Sequence, residues 1–256
     1  MTLAPFAPPG PQLLAAPAAC CLTHQNDARQ LARVVAAAVL PGTVLEIGSG
    51  SGAVAIRLLH LRADLRVVGV EVSSTAAGES LRRATAMGLG DRLHVIRGDA
   101  LVVRLPAAPS LVANPPMLPT ERWFEAPAKS PQREGFAAAL VRRFGALEST
   151  ADIWIHLFDF HGIDRSYGWG TPIAQVAAEL GFELSLPHHG WRAIGPTSRV
   201  RDALPQLARL FPEADAQVDG APARLGELGH VDARPLLIPH SVVRLHRATA
   251  ANGVLR

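Results

Sequence analysis

Apolar positions along the chain change period in a regular rhythm. Gln25–Leu40 carries its apolar residues at helical spacing and stops at Pro41-Gly42, a helix stop signal. Thr43–Gly48 then reads as a strand, Gly52–Leu61 as a helix, Arg66–Ser73 as a second strand and Ser74–Leu89 as a second such helix with serines near its start. Leu93–Ala100 is a third strand with its exit loop. Ser110–Pro116 is a fourth, closed by two prolines. Gln132–Leu147 predicts a helix, Ala151–Phe160 a fifth strand, Thr171–Gly181 a helix with proline in its first turn, and Phe182–Leu186 a sixth strand. Pro235–Ala248 predicts a seventh strand interrupted at Pro239. Strand and helix alternate with loops of ordinary length, the pattern of an α/β doubly wound parallel sheet with helices on both faces.

Residues 187–234 depart from this rhythm. They hold one helix-like piece, Asp202–Phe211, and a tail rich in Gly, Pro and Asp. We read them as an insertion between the sixth and seventh strands, packed beside the sheet and without a core of its own. Residues 1–23, rich in Ala and Pro, are expected to be a flexible leader, with one domain over 24–256.

Composition adds limits. The chain has 256 residues, 48% hydrophobic and only 18% charged, enough for one large core. Net charge is +3, and Lys129 is the single lysine, so the positive charge is nearly all arginine. No basic stripe marks a dedicated nucleic-acid binder. Cys20 and Cys21 are the two cysteines and cannot build a disulfide framework, which suits a reducing, cytoplasmic compartment. No apolar run reaches membrane-spanning length, so no membrane partner is expected. The oligomeric state is not legible.

The chemistry concentrates where strands end. "VLEIGSGSGAVAIRL" (Val44–Leu58) places Gly48, Gly50 and Gly52 between a strand and a helix, with Glu46 two residues ahead. Such a loop presents backbone N–H groups to a ligand, and glycine permits sharp turns and close approach. The spacing satisfies the dinucleotide fingerprint and also reads as E-x-G-x-G-x-G. Glu71 closes the second strand, where a carboxylate can accept both ribose hydroxyl hydrogens of NAD or of S-adenosylmethionine alike. Asp99 and Ala100 follow the third strand, placed for an adenine ring, with a helix N-cap as the plainer role for Asp99.

"NPPM" (Asn114–Met117) separates these readings. Two prolines fix φ and donate no hydrogen bonds, so the carbonyls of Asn114 and Pro115 are held rigid beside the Asn114 amide oxygen. Taken in order, these motifs resemble the class I S-adenosylmethionine-dependent methyltransferases. Within them the chain resembles the amino-methylating branch with (D/N)-P-P-(Y/F/W), which includes the release-factor glutamine, N6-adenine DNA and guanine-N2 rRNA methyltransferases. The resemblance spans roughly Gln25 to Leu186. It implies a Rossmann-like, mostly parallel seven-stranded sheet with an antiparallel last strand, and S-adenosyl-L-methionine as cofactor. By position, Glu46, Gly48, Gly50 and Gly52 would cradle the methionine part, Glu71 the ribose, and Asp99 with Ala100 the adenine. Asn114 and Pro115 would be the catalytic acceptors, drawing a flat nitrogen toward tetrahedral geometry so that its lone pair can attack a methyl group.

Met117 departs from the pattern, which has an aromatic there to stack on the substrate. Pro116 and Met117 would line the acceptor pocket, with Trp123 and Phe124 supplying the stack. Asp159 and His161, after the fifth strand, are further candidates for substrate contact, and strand alternation sends His156 to the opposite face. No metal site is expected. His188, His189 and Trp191 are placed to line a pocket mouth. The short stretch before the first helix and the mixed charge of 187–234 favour, by elimination, a small molecule: an amine, amide, guanidine or heterocycle. The alternative acceptor is a protein glutamine or arginine, or a nucleic-acid adenine or guanine, so nucleic acid stays open as a partner. An NAD-dependent oxidoreductase would share the glycine loop without explaining "NPPM". A catalytically inactive S-adenosylmethionine-binding module would follow from the missing aromatic.

Overall fold

Branched apolar side chains dominate the sheet. Val44, Leu45 and Ile47 on one strand, and Ile153, Trp154, Ile155 and Leu157 on another, are all buried. Each side chain of this kind, taken out of water, contributes about 1.5–3 kcal/mol, so strands apolar on both faces sit at the centre of the sheet. The computed structural model describes residues 25–115, 136–147, 149–164, 171–195, 198–228 and 234–247. The expected leader and the positions Pro116, Met117, Trp123 and Phe124 lie outside the described residues.

The chain runs α1 (Gln25–Ala38), β1 (Gly42–Ile47), α2 (Ala53–Leu61), β2 (Leu65–Glu71), α3 (Ser74–Ala86), β3 (Leu93–Arg97) and β4 (Ser110–Ala113). It continues through α4 (Phe136–Gly145), β5 (Asp152–Phe158), α5 (Ile173–Glu179) and β6 (Phe182–Ile194). The short helices α6 (Arg199–Asp202) and α7 (Leu204–Leu210), the strands β7 (Asp215–Val218) and β8 (Ala221–Arg224), and β9 (Leu236–Arg247) complete it. Strand order is β3-β2-β1-β4-β5-β9-β7-β8, with β6 also paired to β9. β1 to β5 are mutually parallel. β9 is antiparallel to both β5 and β6, so the last strand reverses as expected.

The register lines up one row of residues across the sheet. Val70 pairs with Ile47, Ile47 with Ala113, Ala113 with Ile155, and Ile155 with Val243. All five belong to the apolar cluster shared with α4 and α5. The opposite face packs α1 and α2 over Val44, Val67, Val112 and Trp154. Above the common row β1, β2 and β4 reach their carboxyl ends, while β5 continues past Ile155 to Phe158 alongside β9.

β6 runs to Ile194, past its expected end at Leu186, and pairs with the full length of β9. The polar sequence after Leu186 conceals this, because its strand residues are alternately half-buried and exposed. The ribbon formed by β6 and β9 overruns β5, whose pairing with β9 stops at Phe158–His240. Residues of the expected insertion fold against that overrun. Leu204, Leu207 and Phe211 pack with Ala216, Leu225, Ile238 and the β5-end residues Phe158 and Phe160. This third apolar cluster is shared between the inserted residues and the ends of β5, β6 and β9.

Two buried features govern the first strand–helix unit. Gly52 caps α2 with φ of 80°, and a Cβ there would strike Ser80 on α3. Glu46 is 2% exposed and accepts a hydrogen bond at Oε2 from the Ala55 N–H (3.1 Å), bracing the start of α2. Burial pushes its carboxyl up to about 8, against the Ala55 hydrogen bond that favours the charged form; the nearby Glu71 carboxylate adds to the rise.

Two expectations follow. Gly48 and Gly52 both have left-handed φ, but only Gly52 lacks room for a side chain. Gly48→Ala should cost about 1–2 kcal/mol of backbone strain, and Gly52→Ala that much plus the collision. Thermal melting should therefore rank wild type above Gly48→Ala above Gly52→Ala, and equal melting of the two variants would refute the packing role. For Glu46, the folded state holds a proton that the unfolded state releases near 4.5, so stability declines as pH rises through about 8. Glu46→Gln should flatten that decline in urea titrations from pH 5 to 9, its advantage largest at the alkaline end.

Candidate functional site

Four chain segments meet above the common row. The Gly48 and Ser49 N–H groups both donate to Val70 O (2.9 and 3.1 Å), so the glycine loop folds over the end of β2. The Gly98 N–H donates to Glu71 O (3.0 Å), bringing the third exit loop alongside. Asn114 follows Ala113 directly, next to Gly48 on one side and His156 on the other by register.

The three glycines do different work. Gly48 (φ 69°) and Gly50 (φ 54°) face open space, with no side chain close to where a Cβ would stand. Gly52 serves helix packing. Beneath the loop, Gly69 of β2 makes room for Ser49, whose Oγ would lie 2.7 Å from an added Cβ. Arg83 of α3 donates to Ser51 O (3.0 Å) and clamps the loop from outside. The open side at Gly48 and Gly50 is therefore where a ligand can approach the backbone.

Glu71 has a role that the sequence did not disclose. Its Oε2 accepts from the Gly50 N–H and its Oε1 from the Ser73 N–H, each at 2.8 Å. One carboxylate thus ties the glycine loop to the start of α3, where Ser73 Oγ caps the Ala76 N–H (3.3 Å). Each oxygen retains acceptor capacity, so the ribose role expected for Glu71 is compatible with this brace. Glu46 is turned inward to Ala55 and supports the loop from below. Asp99 forms a side-chain turn rather than a helix cap: Oδ1 accepts from the Leu101 N–H (2.8 Å). Its other oxygen has no partner among the described residues, and Ala100 is buried beside it. Glycines opening outward, a carboxylate at the end of β2 and a second one on the next loop fit the glycine-bound, ribose and adenine parts of S-adenosylmethionine.

Asn114 is half-buried and Pro115 buried. Asn114 Oδ1 lies 3.2 Å from His156 Nδ1. The fully buried His156 in turn has Nε2 2.8 Å from Nδ1 of His240 on β9. Burial pushes the His156 imidazole down to about 3, so the ring is neutral at physiological pH.

Asp159 and His161 sit in separate networks. Asp159 Oδ1 accepts from the Ser241 hydroxyl (3.0 Å), and that hydroxyl lies 3.0 Å from His189 Nδ1. Burial raises the Asp159 carboxyl above the usual range. Asp159 with Ser241, and His156 with His240, lie on opposite faces of the sheet, as alternation predicts. His161 Nδ1 lies 3.0 Å from Phe158 O, and its ring packs on Phe160. The structure therefore brings Glu46, the glycines, Glu71, Asp99, Ala100, Asn114 and Pro115 to one edge. Asp159 and His161 are held by local partners at the next strand end. His188 faces α1 through Gln30 (2.5 Å), while His189 points to the other face. Among the described residues no group of three or more His, Cys, Asp or Glu is arranged to hold a metal. No described helix is long and apolar enough to cross a membrane.

No family model matches the chain. Over 86 residues it is 34% identical to a release factor glutamine methyltransferase of Chlorobaculum tepidum, covering 32% of this chain and 29% of that protein. Over 107 residues it is 34% identical to a tRNA1(Val) (adenine(37)-N6)-methyltransferase of Aeromonas hydrophila, covering 41% of this chain and 42% of that one. The chain thus spans less than half the length of these curated relatives. It superposes with a TM-score of 0.53 on a Pyrococcus horikoshii protein described as a candidate RNA methyltransferase, at 14% identity, over 89% of this chain and 87% of that one. It also superposes on the cyclase SpnF with a TM-score of 0.50, at 16% identity, over 88% and 83%. At such identities the likeness is one of fold, and a fold does not by itself specify the reaction. The chain has the fold of the class I S-adenosylmethionine-dependent methyltransferases, and the part that matches in sequence is similar to their release-factor glutamine and RNA adenine members.

Proposed function

We propose that this protein is an S-adenosylmethionine-dependent N-methyltransferase that acts on a planar or conjugated nitrogen. The observation that carries this reading is the position of Asn114: it leaves β4 beside the open side of the glycine loop, followed by a proline that cannot donate. The sequence similarity to methyltransferases named for glutamine and adenine supports it, since both are flat nitrogens.

Gly48 and Gly50 would hold the cofactor on their open side, Glu71 its ribose, and Asp99 with Ala100 its adenine. When bound, the cofactor supplies an electrophilic methyl group on a sulfonium, already a good leaving group. This chain's own residues then do two things. The Asn114 Oδ1 and the Pro115 carbonyl accept N–H bonds from the nitrogen that reacts, loosening its lone pair from the adjoining π system. The fixed φ of Pro115 holds the backbone of this exit in place, so little backbone reorganisation accompanies reaction. Acceptors aimed at a nitrogen whose N–H bonds become more acidic as it reacts bind the transition state more tightly than the ground state.

For the acceptor itself, the small-molecule reading rests on elimination. The printed names of the relatives specify a protein glutamine and a tRNA adenine, which supports a macromolecular acceptor at least as well. Incubation of the purified chain with methyl-labelled S-adenosylmethionine and a cell extract, separated into metabolite, RNA and protein fractions, distinguishes them. Label should enter one fraction at a nitrogen. Methylation at carbon or oxygen would overturn the reading.

Asn114→Ala should bind S-adenosylhomocysteine as wild type does in calorimetry and lose roughly 10²–10³-fold in turnover, the loss typical of removing one preorganised transition-state contact. Gly48→Ala should remain folded and lose cofactor affinity. The reverse pattern, with Asn114→Ala losing affinity and keeping turnover per bound complex, would place Asn114 in the cofactor pocket instead.

A further inference from the structure

The hydrogen-bonded chain behind Asn114 is more extensive than a core histidine needs. From Asn114 it passes to His156 (3.2 Å) and on to His240 (2.8 Å). The two rings stand nearly perpendicular, at 81° with centroids 5.1 Å apart, a geometry that aims an N–H of one at the lone pair of the other. His240 is 5% exposed and borders His188, with ring centroids 5.3 Å apart. His188 Nε2 meets Gln30 Nε2 of α1. The hydrogen-bonded series therefore joins the β4 exit, β5 and β9, and His188 of β6 packs against its far end and contacts α1.

The proton positions follow from the partners. A neutral imidazole has one N–H and one lone pair, and the oxygen of an amide only accepts. His156 therefore carries its proton on Nδ1, toward Asn114 Oδ1. Its Nε2 is a lone pair, which requires His240 to present an N–H from Nδ1. The charged and titratable groups around the pair are Asp27 on α1 and Arg192 on β6, which are ion-paired to each other, together with His188 and His189 on β6. Desolvation outweighs the one acidic neighbour: it lowers both imidazoles, holding His156 at about 3 and so neutral.

The geometry points to His156, backed by His240, as a positioning residue that sets the orientation of the Asn114 carboxamide. One lone pair of Oδ1 is taken by the His156 N–H, and the other is left to face the N–H of the methyl acceptor. Asn114 is half-buried at a loop edge, where an unbraced amide is free to rotate. Two imidazoles locked in one tautomer remove that freedom without adding a charge that would compete with a cationic ligand. This inference rests on the role proposed above for Asn114.

Histidine ¹⁵N–¹H NMR of the full chain tests the brace without any turnover. The expected result is a His156 proton on Nδ1, protected from exchange and unchanged between pH 8 and 5, whose resonance moves in Asn114→Ala. A proton on Nε2, or no response to Asn114→Ala, overturns the proposal. A second arm uses His156→Gln, whose amide reaches toward His240 only, and His156→Asn, which returns a donor toward Asn114. With labelled S-adenosylmethionine and the fraction that accepts label, His156→Gln should lose roughly tenfold in turnover, the effect of losing one orienting hydrogen bond. S-adenosylhomocysteine affinity should be unchanged, and His156→Asn should recover most of the rate. Wild-type turnover in His156→Gln, or equal losses in the two variants that track their melting temperatures, would make His156 purely structural. If no fraction accepts label, the proposed function fails, while the NMR arm still decides the brace.

Discussion

The site depends on the register of the parallel strands. Val70, Ile47, Ala113 and Ile155 stand in one row, so β2, β1 and β4 release their chains at about the same height, beside the continuing β5 residue His156. A slip of one residue in β4 would turn Asn114 to the other face and bury Val112 against the wrong helices, because side chains alternate along a strand. The apolar clusters on the two faces prevent it: Leu111 and Ala113 pack toward α4 and α5, and Val112 toward α1 and α2. Packing energy in the core is thus what aims a polar residue at the edge.

On that frame, the ligand-facing loops are stiffened by two glutamate side chains and a guanidinium rather than by apolar contacts. Glu71 binds two backbone N–H groups from different loops, Glu46 braces α2 from beneath, and Arg83 closes the outside. The surface above Gly48 and Gly50 stays open because the supports all approach from other directions. A loop held this way can meet a ligand in the geometry it already has, which lowers the ordering cost of binding.

The β6–β9 ribbon links this edge to the rest of the chain. It overruns β5, carries a third apolar cluster at its end, and brings His240 behind His156 and His188 beside α1. The inserted residues are therefore packed, through Phe158 and Phe160, against the end of the strand that carries His156.

Local sequence determined the alternation of strand and helix, the glycine loop, and the rigid Asn114-Pro115 exit. Each depends on the backbone preferences of a few neighbouring residues: glycine for left-handed φ, proline for a fixed one, branched apolar residues for buried strands. The length of β6 was not legible, because its polar continuation becomes a strand only through pairing with β9. The double duty of Glu71 was hidden as well, since it depends on where the Gly50 and Ser73 N–H groups arrive in space. His156 and His240 lie 84 residues apart, and no spacing rule connects them. Only the antiparallel register of β5 and β9 sets them side by side, and only burial in the folded chain lowers their imidazoles from the ordinary value.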